Sequence, residues 1–206
     1  MRRRRGRWLL WRAQALVALL VMLPALEPAY AQSTQDSASI DAGAARAGSG
    51  RIAINQAAGN GNAQVNLAAI AFGNAGVGQA QLRATQRTPG ITARRADAAA
   101  RIGAQAFAQT HGALALNQSA GDGNHQRNLI AIGMQTAISA ADDAALAGTA
   151  GATEPGATAT APPSRQAVIA DGAFDGSRGV VQVNQTAGVG NSATNAIVLQ
   201  LPGGTP

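Results

Sequence analysis

The chain has 206 residues, of which 46% are hydrophobic and only 3% aromatic, and it carries 16 basic residues against 10 acidic ones. It has no cysteine, which excludes disulfide bonds, thiol nucleophiles and thiolate metal ligands. So few aromatic side chains are atypical of an ordinary globular core, because aromatic rings supply much of the area that such cores bury. The composition therefore predicts either disorder or a repetitive architecture built from small side chains.

Residues 1–31 have the three parts of a secretory signal peptide. An arginine-rich head precedes an apolar run from Ala15 to Leu23, and Ala29-Tyr30-Ala31 is a typical cleavage site. The apolar run is too short to hold the mature chain in a membrane. Its removal leaves ten basic and nine acidic residues, a net charge of about +1. We therefore expect no nucleic-acid partner, since such binding requires a basic face.

An internal repeat follows the signal peptide. The pattern N-Q-x-A-G-x-G-N-x-x-x-N occurs at 55–66, 117–128 and 184–195, with seven positions identical in all three copies. A glycine five residues before the first Asn, and an isoleucine ten residues before that glycine, extend each copy to 32 residues. A fixed frame of this kind predicts stacked structural repeats. The repeats are predicted at 40–71, 102–133 and 169–200, after a lead segment at 32–39 and before a tail at 201–206.

Two spacers, 72–101 and 134–168, separate the repeats and share no such frame. The second is rich in glycine and proline around Glu154-Pro155-Gly156 and Pro162-Pro163, which predicts a disordered linker. The first ends in an alanine run after Asp97, where we expect a short helix. The repeats are thus predicted to be joined by flexible linkers.

Within each repeat the apolar residues alternate with a period of two, which predicts strands. Alternate residues from Ile52 to Gln56 share one face of one strand, and alternate residues from Asn66 to Ile70 share one face of the strand after the glycine turn. A weaker third strand is predicted through 40–44. The equivalent residues of the other two copies follow the same pattern.

The inward face of each repeat carries amide side chains as well as aliphatic ones. An unpaired buried amide costs about 2–7 kcal/mol, so these amides need partners. Identical repeats stacked in register supply them, because each amide then bonds its copies above and below. The predicted fold is all-β: a three-repeat β-solenoid of cross-β, amyloid-forming repeats separated by flexible linkers. Its first and last repeats would leave open edges, which template the addition of further chains.

The residues predicted to carry assembly are the asparagines, glutamines and glycines of the repeated frame. They are Asn55, Gln56, Gly59, Gly61, Asn62, Asn66, Asn117, Gln118, Gly121, Gly123, Asn124, Asn128, Asn184, Gln185, Gly188, Gly190, Asn191 and Asn195.

The stretch 167–191, AVIADGAFDGSRGVVQVNQTAGVGN, resembles the repeats of the Fap functional amyloids of bacterial biofilms and is more distantly similar to curlin repeats. The likeness covers the three repeats and the signal peptide. It implies a protein exported through the periplasm and an outer-membrane export machinery, which forms extracellular fibrils with itself and with related subunits. Two features differ: the Cys-x-x-Cys of some Fap subunits is absent, and Ala45 stands where the other repeats have Phe107 and Phe174.

The glycine turns and the two histidines are the candidate ligand sites in the sequence. The variable turn position holds Asn60, Asp122 and Val189, and valine has no ligand oxygen in its side chain, so structural turns are favoured over calcium or phosphate sites. His111 and His125 have no histidine at the equivalent positions, which predicts solvent-facing residues rather than a metal pair. With no nucleophilic triad, we expect no catalytic residues, no metal, no cofactor and no enzymatic activity.

Two further sets of side chains leave alternatives open. Phe107 and Phe174 each lie five residues after an isoleucine, so in an extended strand they would point to the opposite face from it. They are expected to contact a second protomer, the outer face of the solenoid or their own turn. The spacer arginines fit an acidic polysaccharide or a membrane surface, but a solvated face is favoured. These are Arg83, Arg87, Arg94 and Arg95.

The leading functional hypothesis is a secreted structural protein that polymerises into extracellular amyloid fibrils for biofilm formation or surface adhesion. A non-polymerising β-solenoid adhesin and a minor nucleator of a fibre are the alternatives. Solubility of the mature chain over days at high concentration would favour the adhesin, and the long spacers favour the nucleator.

Overall fold

A computed structural model of the chain describes residues 34–73, 79–81, 84–87, 90–94, 96–134, 137–139, 148–149, 152–153 and 163–201. The chain divides into two units, Met1–Gln32 and Ser33–Pro206, and every described residue lies in the second. The predicted signal peptide, much of the second spacer and the tail beyond Leu201 therefore lie outside the described residues.

The described residues contain fifteen strands and no helix, which confirms the all-β prediction. The strands are β1 Gln35–Ile40, β2 Ser49–Ala58, β3 Ala63–Phe72, β4 Gln79–Gln81, β5 Gln86–Arg87, β6 Ile91–Thr92, β7 Asp97–Ile102, β8 His111–Ala120, β9 His125–Met134, β10 Ala137–Ser139, β11 Gly148–Thr149, β12 Ala152–Thr153, β13 Arg165–Ile169, β14 Arg178–Ala187 and β15 Ser192–Leu201.

Nine of these strands form three parallel sheets. The first sheet has the order β1-β7-β13, the second β14-β8-β2 and the third β15-β9-β3. Each sheet takes one strand from each copy, and we call three consecutive strands a rung: β1–β3 form the first rung, β7–β9 the middle rung and β13–β15 the last rung. The first strand of each rung lies before the predicted start of the repeat and ends at its isoleucine. Equivalent residues lie side by side, as Asn117 does between Asn55 and Asn184.

The second sheet lies between the other two and packs on both faces. On one face, Ile52, Leu114 and Leu116 join the core around Ile102, which lies in the first sheet. The opposite face meets the third sheet through the amide hydrogen bonds described below. The outer face of the third sheet, including Leu129, packs on Ala84 of the first spacer. Both faces of β8, the middle strand of the second sheet, are therefore covered, which the period-two pattern alone does not indicate.

The predicted third strand is wrong. The segment 40–44 and its equivalents 102–106 and 169–173 were expected to be extended, but the strand ends at Ile40 in the first rung and a turn occupies 42–47. The strand instead precedes the isoleucine, where residues at alternate positions from Asp36 to Ile40 are buried. The turn contains backbone with positive φ, as at Gly43 (68°) and Ala47 (57°), so the chain reverses there rather than continuing the strand.

The spacers also differ from expectation. The alanine run after Asp97 is the strand β7 rather than a helix, because it pairs with β1 and β13 on its two edges. Three short strands of the first spacer, β4, β5 and β6, pair in parallel with β10, β11 and β12 of the second. The segments β10, β11 and β12 are therefore strands within the spacer whose composition predicts a disordered linker.

Candidate functional site: amide ladders across the rungs

A ladder of glutamine side chains runs through the three rungs. Nε2 of Gln118 donates to Oε1 of Gln56 at 2.7 Å, and Nε2 of Gln185 donates to Oε1 of Gln118 at 2.8 Å. Gln118 also donates to the carbonyl oxygens of Ala38 and Arg101, at 3.2 and 2.9 Å. The ladder therefore satisfies the amide of the fully buried Gln118 and ties the second sheet to the first.

Two asparagine ladders connect the second sheet to the third. Nδ2 of Asn117 donates to Oδ1 of Asn55 at 2.9 Å and to Oδ1 of Asn66 at 3.0 Å. Nδ2 of Asn128 donates in turn to Oδ1 of Asn117 at 3.0 Å. The last rung repeats this geometry through Asn184 and Asn195. The six asparagines form one network because each bonds both along its ladder and across to the other.

A further asparagine ladder lines the turn between the second and third strands of each rung. Nδ2 of Asn124 donates to Oδ1 of Asn62 at 3.0 Å, and Nδ2 of Asn191 donates to Oδ1 of Asn124 at 2.8 Å. Asn124 also donates to the carbonyl oxygen of Gly188 at 3.0 Å. The ladder fixes the spacing of the turns as well as of the strands.

All six turn glycines have positive φ, as predicted from their place in the turn. They are Gly59, Gly61, Gly121, Gly123, Gly188 and Gly190. Gly121, with a φ of 99°, shows a second requirement: a Cβ placed there would overlap the carbonyl oxygen of Gly188 in the next rung. The turns therefore need glycine both for their backbone conformation and for the close approach of successive rungs.

Burial differs sharply between the middle rung and the end rungs. Asn117 is completely buried, whereas Asn55, its equivalent in the first rung, is exposed. Ile102 in the middle rung is likewise 0% exposed, and its last-rung equivalent Ile169 is 47% exposed. The cause is geometric, because within the described residues the strands of the first and last rungs pair along one edge only.

The two phenylalanines stack on each other between rungs. The rings of Phe107 and Phe174 lie 5.4 Å apart between centroids and 8° from parallel. Phe107 is 0% exposed and belongs to the core that contains Ile102. None of the three predicted environments is correct, since the contact is with the adjacent rung of the same chain. The prediction assumed an extended strand from Ile102 to Phe107, in which alternate residues point to opposite faces. A turn separates these two residues instead, so the alternation does not apply.

One spacer arginine, predicted to belong to a solvated face, is held by two carboxylates while its side chain remains 39% exposed. Nη2 of Arg94 lies 2.9 Å from Oδ1 of Asp36 and 3.1 Å from Oδ1 of Asp122. The Arg94 backbone N–H donates to Oδ2 of Asp122 at 2.8 Å, and the Asn60 N–H donates to Oδ1 at 2.6 Å. Asp122 is 1% exposed. This cluster fastens the first spacer to the turns of the first and middle rungs.

The pKa of Asp122 reflects two opposing effects. Burial alone raises it, but the hydrogen bonds from the Arg94 side chain and from the Arg94 and Asn60 backbones, together with the Arg94 charge, lower it below its ordinary value. Because the pKa is lower in the folded than in the unfolded chain, ionised Asp122 contributes stability above about pH 4, and that stability is lost as the pH falls through the folded-state pKa.

Replacing Arg94 with alanine should therefore destabilise the folded monomer by about 2 kcal/mol at pH 7, the cost of leaving charged hydrogen-bonding groups without a partner. The difference from the wild-type chain should shrink as the pH falls below about 4, where the unfolded chain takes up a proton at Asp122 before the folded wild-type chain does. Urea unfolding at pH 7 and pH 3 measures both values. Arg101→Ala, which removes an exposed arginine of the middle rung, is the matched control and should change stability by less than about 0.5 kcal/mol. Equal losses for the two variants would contradict the clamping role of Arg94.

His125 is buried at 1% exposure, so the prediction that it faces solvent is wrong, whereas His111 is exposed. Burial, with a smaller effect from the charge of Arg127, lowers the pKa of His125 below its ordinary value. The unfolded chain therefore takes up a proton at this residue before the folded chain does. Stability should be complete above about pH 6.5 and should decline as the pH falls below it.

The substitution His125→Ser tests this, because serine occupies the equivalent position, Ser192, in the last rung. We expect the variant to lose the decline in unfolding free energy between pH 7.5 and pH 5 that the wild-type chain shows. His111→Ser copies Ser49 of the first rung in the same way and should retain the decline. A decline of the same size in all three chains would mean that His125 does not cause it.

Together these features define an all-β repeat protein whose copies pair in parallel, in register and through ladders of identical amides. The model of the functional amyloid protein FapB/FapC family matches residues 24–202. The chain therefore belongs to this family of functional amyloid proteins, and the resemblance inferred from the repeats is confirmed. No solved structure matches the chain. Among the described residues, no helix has the length and apolar character needed to cross a membrane.

Proposed function

We infer that the chain is a secreted structural protein that polymerises into extracellular fibrils. In this proposal the three rungs form a short β-solenoid, and growth occurs when the end rung of one folded chain joins the end rung of another. Secretion is supported by the signal-like segment 1–31, and fibril formation by membership of the functional amyloid family. We propose no catalytic role, in keeping with the absence of a nucleophilic motif from the sequence.

The observation that carries this proposal is the incomplete burial of the end rungs. Val181 and Ile169 of the last rung are 41% and 47% exposed, whereas their middle-rung equivalents Leu114 and Ile102 are 2% and 0% exposed. An added rung would remove this apolar area from water, which favours association by about 25 cal/mol for each Å² buried. It would also pair the open strand edges, whose N–H and C=O groups template a further strand.

The amide ladders supply the specificity of the proposed assembly. A new rung in register would extend the bonds that Gln118 and Asn117 already make within the chain, whereas a shift by one residue would place apolar side chains against amides. The assembly is therefore proposed to use the same contacts that fold the monomer. The biological setting, a biofilm or an adhesive cell surface reached through an outer-membrane export machinery, follows from the family resemblance.

The test is quiet incubation of the chain lacking residues 1–31, with thioflavin fluorescence and sedimentation followed over time. We expect a lag phase, sedimentable fibrils, and loss of the lag when preformed fibrils are added as seeds. A strand-rich monomer that stays soluble for days at high concentration would contradict polymerisation and would support the non-polymerising adhesin instead.

A further inference from the structure

We propose that the two end rungs form a one-way junction: the last rung of one chain receives the first rung of a second copy, and Arg46 of the incoming chain pairs with Asp175 of the receiving chain. This inference rests on the proposed polymerisation and adds its direction and the residues that set it. Three independent features of the end rungs support it.

The first feature is the direction of the amide bonds. In four ladders the side-chain N–H of each rung donates to the oxygen of the rung before it, as in the step from Gln185 to Gln118 and from Asn191 to Asn124. One further pair of equivalent amides runs the other way, since Nε2 of Gln64 in the first rung donates to Oε1 of Gln126 in the middle rung. The four complete ladders nevertheless share one direction. The first rung therefore presents donors, such as Nδ2 of Asn55, and the last rung presents acceptors, such as Oε1 of Gln185. In these four ladders, donors meet acceptors only when a first rung follows a last rung.

The second feature is the position of the glycine at the start of each second-sheet strand. A Cβ on Gly112 would overlap the carbonyl oxygen of Gly50, and one on Gly179 would overlap that of Gly112. A Cβ on Gly50 meets nothing within 4 Å. At this position the close approach is thus toward the preceding rung, and the space before Gly50 matches the place that the Gly179 carbonyl of another copy would take.

The third feature is opposite charge at equivalent positions of the two ends. Backbone hydrogen bonds from Ala47 to Ala108 and from Gln109 to Asp175 align Arg46, Ala108 and Asp175 across the three rungs. Arg46 and Asp175 are exposed, and neither has an oppositely charged partner among the described residues. Adjacent strands lie about 4.8 Å apart, so a last-to-first junction brings these two charges together, whereas within the chain the neutral Ala108 separates them.

Asp36 and Arg165 also occupy equivalent places in β1 and β13, but Asp36 is buried and already paired with Arg94, so this pair gives the junction no further support. The alternative junction, between two first rungs, would place donors against donors and would be a two-fold contact that stops at a dimer. The last-to-first junction leaves the same two end surfaces exposed after each addition. It therefore produces an open fibre.

The charge pair is tested by seeded elongation of four chains lacking residues 1–31: wild type, Arg46→Asp, Asp175→Arg and the double variant. Each single variant should elongate its own seeds about fivefold more slowly, since a like-charge contact replaces an ion pair of modest strength. The double variant should recover the wild-type rate, because the opposite charges meet again with their positions exchanged. Arg178→Asp is the matched control, since Arg178 is exposed and its first-rung equivalent is the uncharged Ser49.

A second variant tests the junction without changing charge. Gly50→Ala should leave the monomer folded, because the added Cβ meets no atom of its own chain. It should nevertheless fail to polymerise, since the methyl group occupies the place of the incoming carbonyl. Single charge variants that elongate at the wild-type rate, a double variant no faster than the singles, or normal fibrils from Gly50→Ala would each overturn the one-way junction while leaving polymerisation intact. A wild-type chain that forms no fibrils would overturn the proposed function as well.

Discussion

Replacing Gly112 with alanine is expected to destabilise the folded monomer by more than about 4 kcal/mol. Losses of this size are exceptional and occur when a substitution causes a severe steric overlap or backbone strain. Gly112 has a φ of 119°, which a residue with a Cβ adopts only under strain. Its Cβ would also overlap the carbonyl oxygen of Gly50 in the neighbouring rung. That oxygen belongs to a strand paired along its whole length, so neither strand can move aside without breaking the ladder.

The matched control for this prediction is Gly50→Ala. Gly50 has a φ of 88° and occupies the same position in the frame, but it has no rung before it and no atom within 4 Å of the added Cβ. It should therefore show only the backbone strain, about 1–2 kcal/mol. Urea unfolding of freshly prepared monomer measures both variants. Equal losses would mean that backbone conformation alone explains the glycine, and that rung contact adds nothing.

Replacing Gln118 with leucine is expected to cost about 4 kcal/mol of unfolding free energy. The side chain is fully buried, and its loss leaves the carbonyl oxygens of Ala38 and Arg101 without this donor and breaks the ladder on both sides. Each buried polar group left without a partner costs about 1–3 kcal/mol, and leucine recovers part of the total by its apolar contacts. The loss should appear as a lower urea midpoint with an unchanged slope.

Gln35→Leu is the control for Gln118→Leu. Gln35 lies on the exposed face of β1, so the same change of side chain should alter stability by less than about 0.5 kcal/mol. If both glutamine variants unfolded at the wild-type midpoint, the amide ladder would have no structural role and hydrophobic contacts alone would account for the stack.

The sequence was sufficient to predict the repeats, the glycine turns and the amides of the ladders. The frame itself explains this success, because residues identical in three copies lie side by side when the copies pair in register. Gln56, Gln118 and Gln185 were expected to bond along the stack, and they do. The period-two alternation also placed Gln56 on the same face of the strand as Ile54.

The period-two alternation did not predict that both faces of β8 are covered. Asn117 and Gln118 are adjacent, so they point to opposite faces of the strand, yet both are fully buried and both bond to the neighbouring rungs. The sequence did contain an indication of this, since the same Asn-Gln pair recurs in all three copies. A strand with one buried face would leave either the asparagine or the glutamine exposed to solvent. Both are buried in the middle rung because the third sheet packs against the asparagine face.

The remaining differences arise from contacts between segments that the repeat frame does not relate. Arg94 bonds Asp36 and Asp122, and the strands of the two spacers pair although their sequences share no frame. The turn after Ile40 depends on positive φ at Ala47, a residue with no preference for that conformation. Composition predicts solvation or disorder for such segments because it contains no information on tertiary partners.

The most direct test of the central claim is fibre diffraction combined with a measurement of mass per unit length on fibrils of the chain lacking residues 1–31. Stacking of folded three-rung chains predicts a meridional reflection at about 4.7–4.8 Å and one chain for about every 14 Å of a single filament, which is three strand spacings. The absence of that reflection, or one chain for every strand spacing, would contradict the account, because each chain would then contribute one layer instead of three rungs.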